Sequence, residues 1–572
     1  MAPYIAHCFY SNPLGIRSLH TNFEKLVTMS YINFSYNFQH ALLNSFSYPK
    51  NTILRKIDTY PKFLGKAEDL LSEKECDLFE DRHTEWEIPI RDLDDASVVD
   101  KCNIQSLEML HQWLGLRIQV SASSSPLAVV TGMKEDPKCR FVCIYGMHSR
   151  SKLKLTRAML VDILTFHQVM PDFLDFLYVF GQKSEPLDLQ FSGFREQVVL
   201  SNPPGDLVQP GLGRSGKHYQ ICYNLKGVAL SEENKEDIME NMWSIRQAAF
   251  HHQFDVVNGN ALWIVIKGNL EIQQRFKALT DRNARPQDKS FGNAEDCFRS
   301  SLSAHLLYCH WAIEDWRWYI RWLERVVDKQ HIMSVLGPSG VGYAHKTYTA
   351  QDIQDLQIWE ERTRQAIMAL EGNVDVMSAL MMFYRRVVQD RNFPLRKKCS
   401  SDVMTFAVQV GNILSDHRMQ IKRAEFLVRT ISDRRQLVIQ HLQSQSASRA
   451  ERLSRNMEQE QVFMLIITVV TLIYLPPTFV STFFSTDVIK YQDPDNPDGS
   501  FSSTAMVRWL QVTLPLTFLT CGVAWLARRC MLTRRREKEF GRKGRKTSVK
   551  KRAFSSSSTL LPFHNKTMLD AS

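Results

Sequence analysis

Val462–Phe484 reads VFMLIITVVTLIYLPPTFVSTFF, and this stretch decides the architecture. Its 23 residues carry no charge. Coiled as a helix they extend roughly 35 Å, enough to cross the hydrocarbon core of a bilayer. Trp509–Ala527 (WLQVTLPLTFLTCGVAWLA) adds a second uncharged run of 19 residues, roughly 28 Å as helix. Trp509 and Trp525 stand near its two ends, where indoles favour the membrane–water interface. Either run alone is compatible with a buried helix of a soluble domain. Two in succession, followed by a basic tail, predict a transmembrane hairpin.

Charge sets the orientation of that hairpin. Residues 528–572 hold fourteen Lys and Arg against Glu537, Glu539 and Asp570, so the tail alone exceeds the net +10 of the whole 572-residue chain. The connecting loop, 487–507, carries Asp487, Asp493, Asp495 and Asp498 against Lys490. The positive-inside rule puts the tail in the cytoplasm. Two spans return the long N-terminal part to the same side, so both termini are expected to be cytoplasmic. The positive charge belongs to the tail, and that excludes a nucleic-acid footprint over the body of the protein. Arg534–Arg552 next to Ser555–Ser558 suits a surface of anionic lipid.

Upstream of the first span, apolar residues recur at Val403, Phe406, Val410, Ile413, Ile421, Ala424, Leu427, Ile431, Val438 and Leu442, with His417 and Arg435 filling two positions of the stripe. That is helical spacing. No proline occurs between Pro394 and Pro476, so one helix is expected from about Asp402 into the membrane. Companion helices are expected at Ala294–Asp328 and Tyr348–Asp390, giving a stalk. Earlier still, strand-like runs at Leu116–Ser121, Phe141–Tyr145, Tyr219–Leu225 and Ala261–Lys267 alternate with helical patterns at Leu155–Phe166, Pro171–Phe180 and Lys235–Gln253. The chain therefore divides into an N-terminal extension (1–60), a cytosolic domain (61–290), a helical stalk (291–460), two transmembrane helices (461–527) and a basic tail (528–572). The fold class expected is α+β, followed by long helices and a C-terminal membrane hairpin.

The end of the first span reads Tyr474-Leu475-Pro476-Pro477-Thr478-Phe479-Val480-Ser481-Thr482-Phe483-Phe484-Ser485-Thr486-Asp487. Together with the stalk, hairpin and basic tail, it resembles the CorA family of divalent-cation transporters, in particular their fungal branch. Pro476, Thr478 and Phe479 match the family's local pattern in register. Ser485-Thr486-Asp487 occupies the place of the family's Gly-Met-Asn triplet. The resemblance covers residues 290–552 in architecture and 1–290 only as a general α/β domain. It implies a homopentamer whose first span lines the pore and whose cargo is a divalent cation, Mg²⁺ or a transition metal. No cofactor is implied.

With the first span on the axis, Gln461, Met464, Ile467, Thr471, Leu475, Thr478 and Thr482 would line the pore, and their spacing does place them on one helix face. Apolar rings at Met464 and Ile467 would form a constriction, with hydroxyls beyond it. Helix-to-helix packing is the alternative for the same residues, and threonines in such helices also bond their own backbone. Asp487 in several copies would set a carboxylate ring at the mouth, suited to a cation that keeps its water shell. A rival reading is a membrane-tethered cytosolic sensor that has the architecture without conduction.

Other motifs point elsewhere only weakly. Gly211-Leu212-Gly213-Arg214-Ser215-Gly216 matches GxGxxG in letters but precedes a strand, whereas a dinucleotide fingerprint opens a helix. Gly337–Gly342 has P-loop glycines without the Lys. His305, Cys309 and His310 sit among Trp311, Trp316, Trp318 and Trp322, which argues for aromatic packing. Glu68–Asp100 carries thirteen acidic against three basic side chains and is expected to be a solvated face. The eleven Cys include no CxxC pair, as in reduced, buried thiols. No nucleophile–base pairing stands out, so an enzyme is not expected.

Overall fold

The computed structural model describes residues 31–54, 61–94, 99–120, 128–148, 150–183, 190–230, 243–281, 284–285, 290–336, 348–485, 503–504 and 506–529. The chain divides into two units, Met1–His441 and Leu442–Ser572.

Among the described residues the first unit has ten strands: β1 (Ile32–Asn33), β2 (Ile88–Leu93), β3 (Val99–Ile104), β4 (Leu116–Val120), β5 (Ala128–Gly132), β6 (Cys139–Tyr145), β7 (Phe194–Val199), β8 (His218–Leu230), β9 (Trp243–Asp255) and β10 (Ala261–Lys267). Seven form one sheet in the order β3-β2-β6-β10-β9-β8-β7, and β1, β5 and β4 form a smaller antiparallel sheet. Within the large sheet β6 and β10 run parallel and the other pairs antiparallel. The shorter helices are α1 (Tyr36–Leu43), α2 (Pro61–Glu73), α3 (Glu75–Leu78), α4 (Leu107–Leu114), α5 (Arg157–His167), α6 (Phe173–Leu177) and α7 (Glu271–Thr280). The long ones are α8 (Ala294–Ile313), α9 (Trp316–Leu336), α10 (Ala350–Gln389) and α11 (Arg396–Phe484).

The sheet is covered on both faces. On one side Phe141, Tyr223, Phe250 and Trp263 pack with Tyr308 of α8, Tyr384 of α10 and Phe406 of α11. On the other, Val142, Cys222, Ala249 and Ile264 meet α5 and α6 through Leu160, Phe166, Phe173 and Phe176. Double coverage explains why β6 and β10 are buried along their whole length and read as continuous apolar runs. β8 alternates instead, with polar Gln220 and Asn224 on its α6 face. Gln220 accepts from Met170 N at 2.9 Å, and Asn224 accepts from Gly193 N at 2.9 Å, so the buried amides are paired. Phe34, Phe38 and Tyr48 of residues 31–54 join the α5–α6 side of the core.

Three expectations need correction. The segment expected as a helix over Lys235–Gln253 is β9 from Trp243 onward; its Arg, Gln and Ala residues favour helix, but pairing with β8 and β10 along both edges overrides that preference. The helix expected over Ala294–Asp328 breaks into α8 and α9 at Asp315, whose φ is +64°. Aspartate is among the few side chains that tolerate this left-handed region. The acidic face of Glu68–Asp100 is not wholly solvated. Asp92 lies in β2, 4% exposed, and takes a bidentate pair from buried Arg140 at 2.9 and 2.8 Å.

α10 and α11 follow their helical pattern. α10 opens on a capping box of Thr349 and Asp352. α11 buries Val403, Phe406, Val410, Ile413, Ala424, Leu427, Ile431 and Val438. The two polar stripe positions have buried partners. His417 donates Nδ1–H to Ile413 O at 3.0 Å, and Arg435 reaches Glu360 of α10 at 2.8 Å. Arg423 grips Glu324 of α9 bidentately at 2.7 and 2.6 Å.

In the second unit, the end of α11 is followed by α12 (Met506–Arg529). Here the apolar side chains are outside: Phe463 is 67% exposed, Leu475 67% and Phe518 75%. Among the described residues three helices, α10, α11 and α12, are long and apolar enough to cross a membrane. The most apolar stretch of α10 is 44% buried, against 6% for those of α11 and α12. α10 covers the sheet instead, through Val376, Met377, Leu380 and Phe383.

Candidate functional site

The expected pore residues from Gln461 to Thr482 all fall on the uninterrupted last part of α11. Pro476 and Pro477 sit inside this helix. Neither has a backbone N–H, so the carbonyls of Leu472 and Ile473 have no partner in the helical ladder. Pro476 and Val480 are buried, one turn apart, and so is Thr513 of α12. Trp509 of α12 donates its indole N–H to Ser481 Oγ at 3.1 Å. α12 carries Thr513, Thr517 and Thr520, each hydroxyl bonded to its own helix, at Trp509 O (2.8 Å), Thr513 O (2.7 Å) and Thr517 O (2.9 Å). Small side chains with satisfied hydroxyls let membrane helices approach closely.

The seam expected to line the pore lies on a different side of α11. At about 100° per residue, Met464, Ile467, Thr471, Leu475, Thr478 and Thr482 centre roughly 150° from Pro476 and Val480. Met464 is 63% exposed and Ile467 58%, and Gln461, Thr471, Thr478 and Thr482 are exposed as well. The seam threonines bond their own backbone. Thr471 donates to Ile467 O (2.8 Å), Thr478 to Tyr474 O (2.9 Å) and Thr482 to Thr478 O (3.0 Å). With the hydroxyl hydrogen engaged, the oxygen lone pairs remain as acceptors. Acceptors without competing donors suit a cation or the hydrogens of its water shell.

Of the Ser485-Thr486-Asp487 triplet, Ser485 is the turn residue just past the end of α11, its N–H donating to Ser481 O at 3.0 Å, and its side chain is exposed. Thr486 and Asp487 lie outside the described residues, as do the acidic loop 493–499, the glycines of 337–342 and the tail from 530.

The other sequence motifs resolve into structure. His305 is buried, its Nδ1 2.7 Å from Tyr223 Oη, and it packs edge-on to Trp263 and Tyr384. The GxGxxG segment is a turn in which Gly213 and Gly216 take φ of +73° and +77°, leading straight into β8. It presents Arg214 to Asp136 at 2.6 Å. Among the described residues no group of three or more His, Cys, Asp or Glu is placed to hold a metal ion.

One junction escaped the sequence reading. Asn373 of α10 brackets the backbone of Lys226 in β8, accepting from its N–H at 2.8 Å and donating to its C=O at 2.7 Å. The same amide meets His417 Nε2 of α11 at 3.3 Å. Burial pushes His417 down to about 4 and Lys226 down to about 8. The signal was a histidine inside an apolar stripe, which implies a buried partner without naming it.

Comparison with known proteins places these features. Among solved structures, the chain is similar to the complete CorA magnesium transporter of Methanocaldococcus jannaschii, with 10% identity and a TM-score of 0.33, over 76% of this chain and 96% of that one. It is similar to the full-length CmaX protein at 10% identity and a TM-score of 0.28, covering 78% and 98%. The soluble domain of the Methanocaldococcus jannaschii CorA gives 10% identity and a TM-score of 0.30, covering 57% and 97%. No curated protein matches. The family model of CorA-like transporters matches residues 40–334, a span from α1 to α9. The match thus rests on the α+β domain, where the sequence had shown only a general likeness, and it spans more than half of the 572 residues: the chain belongs to the CorA-like family of transporters.

Proposed function

We propose that this protein is a membrane channel for divalent metal cations, Mg²⁺ foremost, built as a ring of copies with the α11 seam on the axis. α11 and α12 would be its two spans, with both termini in the cytoplasm and the 487–507 loop outside. Family membership supports transport. The observation that carries the pore assignment is the two-sidedness of α11. Pro476 and Val480 are buried beside Ser481, which Trp509 of α12 reaches, while the Met464–Thr482 face stays open and offers threonine oxygens as acceptors. Met464 and Ile467 would close the path by dewetting, and the hydroxyl rings above them would hold a hydrated ion. Five copies is the number the family resemblance implies. Ion selection is assigned to Ser485, Thr486 and Asp487 at the mouth.

Thiol cross-linking in membranes tests the seam. With Cys521 and Cys530 replaced by Ser, Ile467→Cys is expected to cross-link between copies, and Val480→Cys is not. Cross-linking through Val480→Cys alone would contradict the assignment. The tethered-sensor reading is favoured by one feature, the replacement of Gly-Met-Asn by Ser485-Thr486-Asp487, and predicts an intact oligomer without ion flux.

A further inference from the structure

α11 carries a second apolar face within the first unit. Its buried stripe of Val403, Phe406, Val410, Ile413, Ala424 and Ile431 belongs to the core. Met404, Val408, Met419 and Phe426 are exposed instead, Met419 at 61% and Phe426 at 71%. At about 100° per residue these four lie within about 60° of one another and roughly 170° from the buried stripe. Ser415 and Lys422, both exposed, complete the strip. Single apolar residues scattered over a surface are ordinary, but a row of four running roughly 33 Å along one helix face marks a contact.

The edges of the strip say what it meets. Arg418 and Asp416, both exposed, lie on its two sides. Each is roughly 80° from the centre of the strip, and the two are about 3 Å apart along the helix axis. Seven residues on, both signs reverse together. Glu425 stands on the Arg418 side, and Arg423, which also holds Glu324, stands on the Asp416 side. A second α11 running in the same direction, strip against strip, sets Arg418 level with Asp416 and Glu425 level with Arg423. Charged pairs flanking an apolar seam at matched height are what select partner and orientation where parallel helices associate.

We propose that this strip docks on the same strip of a neighbouring copy, with Arg418 of one copy paired to Asp416 of the next. Copies inserted alike in one membrane run their α11 helices in the same direction, the arrangement that the edge charges match. The inference rests on the ring of copies proposed above and gives it a contact within the first unit. Methionine at two of the four apolar positions adapts its shape to the facing surface. Lys422 lies toward the Arg418 edge, so its stem covers the strip while its ammonium stays in water.

Light scattering of the full-length protein in detergent, over a dilution series, tests this. The unaltered protein is expected to be an oligomer that dissociates on dilution. Arg418→Asp and Met419→Ser are each expected to raise the concentration of half-dissociation by about tenfold. Asp416→Arg combined with Arg418→Asp is expected to bring it back to the unaltered value, a rescue that misfolding would not give. Circular dichroism verifies that each variant is folded. An oligomer indifferent to Arg418→Asp and Met419→Ser, or a double exchange no better than Arg418→Asp alone, would overturn this contact and leave the ring standing. A monomeric unaltered protein would remove the ring and the contact with it.

Discussion

Asn373 and His417 meet across 3.3 Å at the crossing of α10 and α11, and the same Asn373 amide closes on both backbone groups of Lys226 in the sheet. Three elements are joined at one buried side chain, 1% exposed. α11 continues from this point to Phe484, so a change in the sheet has a direct physical route into the stalk helix. Asn373→Ala leaves the Lys226 N–H and C=O unpaired in the core. It is expected to lower stability by roughly 2–6 kcal/mol, at the usual 1–3 for each buried group left unsatisfied. Chemical denaturation measures this, and a loss below about 1 kcal/mol would remove the junction from the account.

Acid is expected to destabilise the first unit. Burial holds His251 and His252 down to about 3 and His417 down to about 4. Each folded value lies below the ordinary 6.5, so the unfolded chain takes up protons that the folded chain refuses. The stability these neutral imidazoles provide is fully present above pH 6.5 and is lost as pH falls from there toward 3 or 4. The slope is about 1.4 kcal/mol per pH unit for each histidine. Unfolding followed between pH 7.5 and 5 reads that slope, and His417→Gln is expected to reduce it by one such increment. A pH-independent midpoint over this range would contradict the assignment.

Arg140→Met is expected to be strongly destabilising, by roughly 3–5 kcal/mol, because it takes the bidentate partner from Asp92 at 4% exposure and leaves only Lys134 at 3.8 Å. Asp92→Leu combined with Arg140→Met is expected to recover most of that loss, since the buried Asp92 charge is then gone as well. Equal destabilisation in the single and double variants would show that the pair is not the unit that matters.

Trp509→Phe keeps the ring but removes the indole donor to Ser481. A loss of about 1 kcal/mol in the stability of the α11–α12 contact is expected, the size of a single hydrogen bond between helices. Trp509→Ala is expected to cost more, because the ring is lost with it. Resistance of the folded protein to denaturing detergent ranks the two variants.

How much of this was legible in the sequence depended on which force decided each element. α11 was legible because an apolar stripe, an unbroken run without proline and an uncharged end all agree. β10 was legible as Ala261–Lys267 because burial on both faces writes a continuous apolar run. β9 was not, since Trp243–Gln253 carries helix-favouring Arg, Gln and Ala while its strand state comes from β8 and β10, distant neighbours no local window contains. The α8–α9 break was hidden for a similar reason: no Gly or Pro marks it, only Asp315 in a left-handed turn. Counting carboxylates in Glu68–Asp100 could not single out Asp92, because its partner Arg140 lies 48 residues away. In the second unit spacing groups Met464–Thr482 on one face of α11, but it could not show that Pro476 and Val480, on another face, are the buried ones.

In the proposed pore α11 lines a cation path with its filter at Ser485-Thr486-Asp487. Uptake of Mg²⁺, Zn²⁺, Ni²⁺ and Co²⁺ into proteoliposomes, with Asp487→Ala and Asp493→Ala alongside, tests it most directly. Selective uptake is expected, falling by about tenfold in Asp487→Ala, where a ring of carboxylates would be lost from the axis, and much less in Asp493→Ala. No flux of any ion through folded, inserted protein would contradict it, and equal losses in the two variants would remove the ring from Asp487.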